Sequence, residues 1–188
     1  PRISGDMLEY AIAAGICSTG GIPYLAGILP TPGVAVLTAL MNADAGIVIS
    51  ASHNPFYDNG IKIFKNDGYK LPDETEAEIE SLVLQNKLTS LCESVSEPGT
   101  VFILPDAATL YQSFLKSAMD KEFRDLTGMK IVLDCSNGAT CQVAPRLFAD
   151  ELNADTETLF DAPDGKNINE NCGSQHIETL QKRVAEKG

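Results

Sequence analysis

Ser52, His53 and Asn54 stand side by side in the sequence, and Lys62 follows after Asn59-Gly60. A serine hydroxyl can accept a phosphoryl group and return it, but a free serine is a weak nucleophile and needs help. His53 offers a proton relay or a charge. Lys62 offers a cation for phosphate oxygens. Phosphoryl transfer depends mostly on positioning and charge neutralisation, so a serine, a cation and a metal suffice. Taken alone, Ser-His-Asn is more often a plain polar turn, because serine, asparagine and proline are ordinary turn residues. Spacing by itself does not decide.

The elements around this segment place it where chemistry gathers. Ala45 to Ile49 is an unbroken apolar run, which predicts a strand buried on both faces. A polar loop from Ser50 to Gly60 follows, and Ile61 to Phe64 alternates like a half-buried strand. Loops at the carboxyl ends of strands are where open α/β sheets collect ligands.

Upstream, Leu8, Ala11, Ile12 and Gly15 have helical spacing. Ile22 to Leu29 is an apolar run stopped by Pro30-Thr31-Pro32, and a short helix is expected from Val34 to Leu40. Pro72-Asp73 opens a helix with Asp73 as expected cap and Ile79, Leu82 and Val83 on its inner face. Residues 86–100 read as a loop. The cleanest helical pattern is Ala107, Leu110, Tyr111, Phe114, Leu115 and Ala118.

The pattern restarts after Leu126-Thr127-Gly128. A strand is expected from Met129 to Leu133, then a loop from Asp134 to Gly138. A helix toward Leu152 follows, with Pro145 kinking it or sitting in its first turn. Thr156 to Phe160 is a further strand, and Ile177, Leu180 and Val184 mark one face of a last helix. Alternating strands and helices predict an α/β layer architecture.

Residues Ala45 to Lys62 closely resemble the phosphoserine signature of the phosphohexose mutase superfamily, in which Ser-His-Asn-Pro is followed by Asn-Gly and a lysine. The resemblance extends along the chain. Arg2-Ile-Ser-Gly, Pro30-Thr31-Pro32, Gly68 to Asp73 and Asp134-Cys-Ser-Asn-Gly-Ala each resemble a family element. It implies a three-layer α/β/α domain I over residues 1–127 and the beginning of a similar domain II over 128–188. Ser52 would become phosphoserine, with His53 and Lys62 on the family's active-site histidine and lysine. Cofactor Mg2+ is implied, with the Ser52 phosphate as one oxygen ligand and no family aspartate run on this chain. Both ends look cut by that comparison, so this piece alone is expected to be inactive.

Pro163 to His176 is similar to the branch acting on glucosamine phosphates, where Asn-Ile-Asn leads to Cys-Gly-Ser-x-His. That branch interconverts glucosamine 6-phosphate and glucosamine 1-phosphate through phosphoserine and a sugar bisphosphate, and the family suggests a homodimer. The rival readings are the same chemistry on glucose or mannose phosphates and a non-catalytic module that kept the fold. As a bare pattern, Cys172 and His176 are spaced like a metal pair but lack partners.

Composition narrows the rest. Net charge is −12, which disfavours a general nucleic-acid binder and requires that any positive groups for a phosphate be local. The five cysteines, Cys17, Cys92, Cys135, Cys141 and Cys172, form no close pairs and argue against a disulfide framework. There is no apolar run near the length of a membrane span and no signal peptide, so the expected setting is the cytoplasm, away from membranes.

Overall fold

Alternating helix and strand signals fold into a mixed α/β structure, seen in a computed structural model that describes residues 1–85 and 95–187. Residue Cys92 and the first part of the expected 86–100 loop lie outside the described residues. The order is α1 (Gly5–Ser18), β1 (Tyr24–Leu25), α2 (Thr31–Leu40), β2 (Ala45–Ile49), β3 (Ile61–Lys65), α3 (Asp73–Leu84), β4 (Phe102–Ile103) and α4 (Ala107–Ala118). Then come β5 (Lys130–Asp134), a run of short helical turns from Ala139 to Glu151, β6 (Asp155–Leu159) and α5 (Glu178–Lys187). Among the described residues no helix is long and apolar enough to cross a membrane.

The strands form three two-stranded ladders. β1 pairs with β4 and β5 with β6, both parallel, while β2 and β3 make an antiparallel hairpin with Ile49 opposite Ile61 and Val48 opposite Lys62. One apolar cluster joins α2 and α4 to the segment after β5, with Leu29, Leu37, Ala107, Tyr111 and Val143 buried together. Gln112 is buried in α4 and donates from Nε2 to the Val143 carbonyl at 2.9 Å. That bond satisfies a polar group that burial would otherwise leave costly.

Several sequence expectations are corrected. β2 is not buried on both faces: Gly46 and Val48 are buried, Ala45 is exposed, and Ile47 and Ile49 are half-buried. Its partner β3 supplies one edge and α2 covers one face, so the apolar run is only partly enclosed. Asp73 is not the cap of α3. Pro72 occupies that position, and Asp73 is the first helical residue in an acidic first turn with Glu74 and Glu76. Negative charge there still suits the positive end of the helix dipole. Val83 lies 56% exposed rather than on an inner face. The stripe expected on α5 is also open, with Ile177 and Val184 exposed. Pro145 sits at the start of the short helix Ala144–Arg146, where a missing N–H costs nothing.

Ion pairs tie α5 to β6. Glu157 on β6 pairs with Arg183, and with Lys187 Nζ at 2.8 Å. The Arg183 guanidinium first, and then the Lys187 ammonium, hold the Glu157 carboxyl below its usual range. A carboxylate with a lowered folded pKa contributes stability above its unfolded value and loses it as the pH falls through the folded one. Glu157→Gln is therefore expected to lower the melting temperature slightly at neutral pH. The gap to the parent should close in acid, below the ordinary glutamate range. A gap that persists unchanged at low pH would show that the pair is not its source.

Candidate functional site

The loop 50–60 is closed at its base by the Ser50 amide, which donates to the Gly60 carbonyl at 2.7 Å. A Cβ on Gly60 would meet the Ser50 carbonyl oxygen at 2.9 Å, so the narrow neck requires glycine. Inside the neck the Asn54 amide donates to the Ala51 carbonyl and the Asp58 amide to the Pro55 carbonyl, both at 3.1 Å. Asn54 Nδ2 donates to Asp58 Oδ2 at 3.1 Å. Two turns, Ala51 to Asn54 and Pro55 to Asp58, thus build a cross-braced loop rather than an open strap.

Ser52 sits in the first of these turns with φ of 54°, in the left-handed region. A non-glycine residue there is uncommon and is often held for a functional reason. Its side chain is exposed, as is that of His53. Lys62 is exposed on β3, opposite Val48, one rung inside the end of the ladder. The hairpin thus carries all three predicted residues at one end. Among the described residues no hydrogen bond or ion pair joins them to one another.

The loop is gripped from outside by two side chains. Arg2 Nη2 donates to the Ser52 and Asn54 carbonyls, each at 3.1 Å. Asn169 Nδ2 donates to the same two carbonyls at 3.2 and 3.1 Å. Ser4 Oγ adds a bond to Asn59 Oδ1 at 2.8 Å. Burial lowers the pKa of the Arg2 guanidinium, and the nearby Asp58 carboxylate partly offsets this. An arginine so far above neutrality stays charged, so Arg2 is a fixed positive group beside Ser52 on a strongly acidic chain.

A cleft of about 1330 Å³ opens at this point, and Arg2, Ser50, Ser52, Asp134, Ser136 and Asn169 line one part of it. Metal fit is poor on this chain: among the described residues no three His, Cys, Asp or Glu side chains cluster to hold an ion. Magnesium asks for about six oxygen ligands, and the Ser52 loop alone does not supply them. Cys172 is buried, and burial pushes its thiol up to about 11, while His176 is exposed just before α5.

Residues 1–90 match the family described as phosphoglucomutase/phosphomannomutase, alpha/beta/alpha domain I. The match contains α1 to α3 and the whole Ser52 hairpin. Over 187 residues the chain is 57% identical to a phosphoglucosamine mutase of Syntrophus aciditrophicus and 56% identical to one of Syntrophobacter fumaroxidans. In both cases all of this chain is covered, and it spans 41% of the relative's length. A solved structure described as a phosphoglucomutase/phosphomannomutase family protein, from Burkholderia thailandensis, superposes with a TM-score of 0.77 at 25% identity. It covers 98% of this chain and 39% of that one. A Thermus thermophilus structure superposes over the whole chain with a TM-score of 0.79 at 20% identity, which speaks for the fold alone.

Sequence reasoning singled out this loop but missed what holds it. Arg2 was seen only as part of a family element, and Asn169 only as part of a segment that separates branches. The available signal was the run Asn167-Ile-Asn-Glu-Asn-Cys-Gly, dense in residues that accept left-handed backbone. Asn169 and Asn171 do adopt it, with φ of 60° and 51°.

Proposed function

We propose that the parent protein is a phosphoglucosamine mutase in which Ser52 carries the phosphoryl group. In the forward direction phospho-Ser52 gives its phosphoryl group to the free 1-hydroxyl of glucosamine 6-phosphate, forming the 1,6-bisphosphate and freeing the serine oxygen. The bisphosphate, turned around, returns its 6-phosphoryl group to the same oxygen, leaving glucosamine 1-phosphate. The O–P bond broken in each step is matched by one formed. Lys62 neutralises phosphate oxygens, and His53 carries charge or relays a proton. The observation that carries this reading is Ser52 itself: an exposed hydroxyl in left-handed backbone, at the end of a strand, with a fixed arginine on its carbonyl.

Magnesium belongs to the same reading as the ion that offsets phosphate charge, with the Ser52 phosphate as one ligand. Among the described residues no cluster of side chains supplies the other ligands. The division at 1–127 and 128–188, a cytoplasmic setting and a homodimer are further parts of the proposal.

The substrate is the finer question, because a family likeness does not read a sugar. The complete enzyme is to be assayed with magnesium and a trace of sugar bisphosphate on glucosamine, glucose and mannose 6-phosphates. We expect kcat/KM for the glucosamine substrate to exceed the other two by at least about tenfold, the scale of one well-placed polar contact. Preference for glucose or mannose phosphate would keep the chemistry and overturn the substrate.

A further inference from the structure

The Ser52 loop receives two carbonyl contacts from a side chain 117 residues away. We propose that Asn169 is a positioning residue for Ser52: its amide, set by the loop after β6, holds the Ser52 and Asn54 carbonyls and so fixes where the serine hydroxyl points. This rests on the reading of Ser52 as phosphoryl carrier.

The geometry supports a built clamp. Two carbonyl oxygens drawn toward one point repel each other unless donors lie between them, and here two donors do. Arg2 brings charge, whereas Asn169 brings none. The asparagine therefore contributes geometry alone, and its loss leaves the local charge on the phosphate untouched.

Asn169 is itself rigidly presented. Its amide N–H donates to the Ser136 carbonyl at 2.9 Å, and its neighbour Ile168 is buried. Asn167 ties the loop to itself, donating from Nδ2 to the Ala162 carbonyl at 3.0 Å and accepting from the Asp164 amide at 3.0 Å. Buried Asn137 donates to the Asn167 carbonyl at 3.3 Å and accepts from the Ala162 amide at 3.2 Å. The Asp134 carboxylate accepts from the Ser136 and Gly173 amides, both at 2.8 Å. At the other side the Ile3 amide donates to the Gly165 carbonyl at 2.8 Å, so the stretch that carries Arg2 docks on the loop that carries Asn169. The Asn-Ile-Asn element thus has a division of labour: Asn167 shapes the loop, Ile168 anchors it, and Asn169 reaches across.

The test uses the complete enzyme with Asn169→Gly and Asn169→Asp. Glycine and aspartate both tolerate the left-handed backbone at this position, so neither variant strains it. Glycine deletes the donor, and aspartate turns an acceptor toward two acceptors. We expect kcat to fall about tenfold for Asn169→Gly and further for Asn169→Asp, with KM within about twofold, since a lost positioning bond weakens the productive loop state by roughly that factor. Amide hydrogen exchange over residues 51–60 should accelerate in the same order, while the β5–β6 amides stay protected. Exchange and kcat at parental values in both variants would overturn the clamp, as would Asn169→Asp behaving no worse than Asn169→Gly. A Ser52→Ala control run alongside separates the two ideas. If it keeps full turnover, the carrier reading falls, and the exchange data still decide the clamp.

Discussion

Ser52→Ala in the complete enzyme is expected to reduce phosphoryl transfer by at least roughly 10³-fold, because removing the nucleophile of a covalent mechanism removes the pathway rather than one contact. Alanine keeps the Cβ that φ of 54° at position 52 disfavours by roughly 1 kcal/mol, so a loop that relaxes once the hydroxyl is gone would mimic a lost nucleophile. Ser52→Gly resolves this ambiguity by deleting the hydroxyl while relaxing the backbone. Both variants should fold, with melting temperatures near the parent's, and both should be inactive. Ser52→Thr gives the converse test. It keeps a hydroxyl but puts a β-branched residue where left-handed backbone is a genuine outlier, so it should also lose most activity. Radiolabelled sugar bisphosphate should label the parent at Ser52 and leave the alanine and glycine variants unlabelled. Turnover that survives in Ser52→Gly would end the phosphoserine reading and leave the loop a turn.

The local signals for this hairpin were strong in the sequence because each has a short-range cause. Serine, asparagine and proline in 50–60 encode turns through their own backbone preferences. Ile61 to Phe64 does form a strand, but its alternation does not give a buried face, since Ile61 is exposed and Ile63 and Phe64 are both half-buried. The helix at Ala107–Ala118 was legible for the same reason, since an apolar stripe follows from period alone. Burial of β2 was not legible, because an unbroken apolar run is compatible with one covered face or two. The cap at Asp73 failed because a proline just before it already fixes the extended backbone that a cap needs. The exposed stripe on α5 shows the converse: periodicity marks a face, not what covers it.

The clamp on Ser52 was hidden for a different reason. Contacts between residues 2 or 169 and the 52–54 carbonyls are long-range, and the acceptors are backbone atoms with no sequence identity. No pattern of residue types announces that a carbonyl needs a partner; only the folded backbone does. The resemblance brought Ser52, His53 and Lys62 into view as a set, whereas geometry adds Arg2 and Asn169 as the groups that determine how the first of them is presented.

Gly46→Ala should destabilise the fold by about 3 kcal/mol or more, even though it adds one methyl group. Gly46 is buried in β2, three residues before the strand ends. A Cβ there would lie 1.9 Å from Thr38 Oγ1, with Thr38 Cβ and Cγ2 at 3.1 and 3.3 Å. Thr38 cannot simply turn away. It is buried on α2, and its hydroxyl donates to the Val34 carbonyl at 2.8 Å. Rotation would leave a buried hydroxyl without its acceptor, at about 1–3 kcal/mol, and overpacking adds a similar amount. The alternative is for β2 to lift off α2, which moves the strand that delivers Ser52, so activity should fall together with stability. Thr38→Ala removes the two clashing atoms Oγ1 and Cγ2 and on its own should cost only about 1 kcal/mol. In the double variant the nearest contact becomes a 3.1 Å approach of two methyl carbons, which a small shift relieves. The double variant should therefore be more stable than Gly46→Ala alone by at least about 1 kcal/mol, a coupling that urea unfolding can measure directly. Additive losses, or a Gly46→Ala protein within about 0.5 kcal/mol of the parent, would mean that β2 and α2 are not packed as closely as the structure has them.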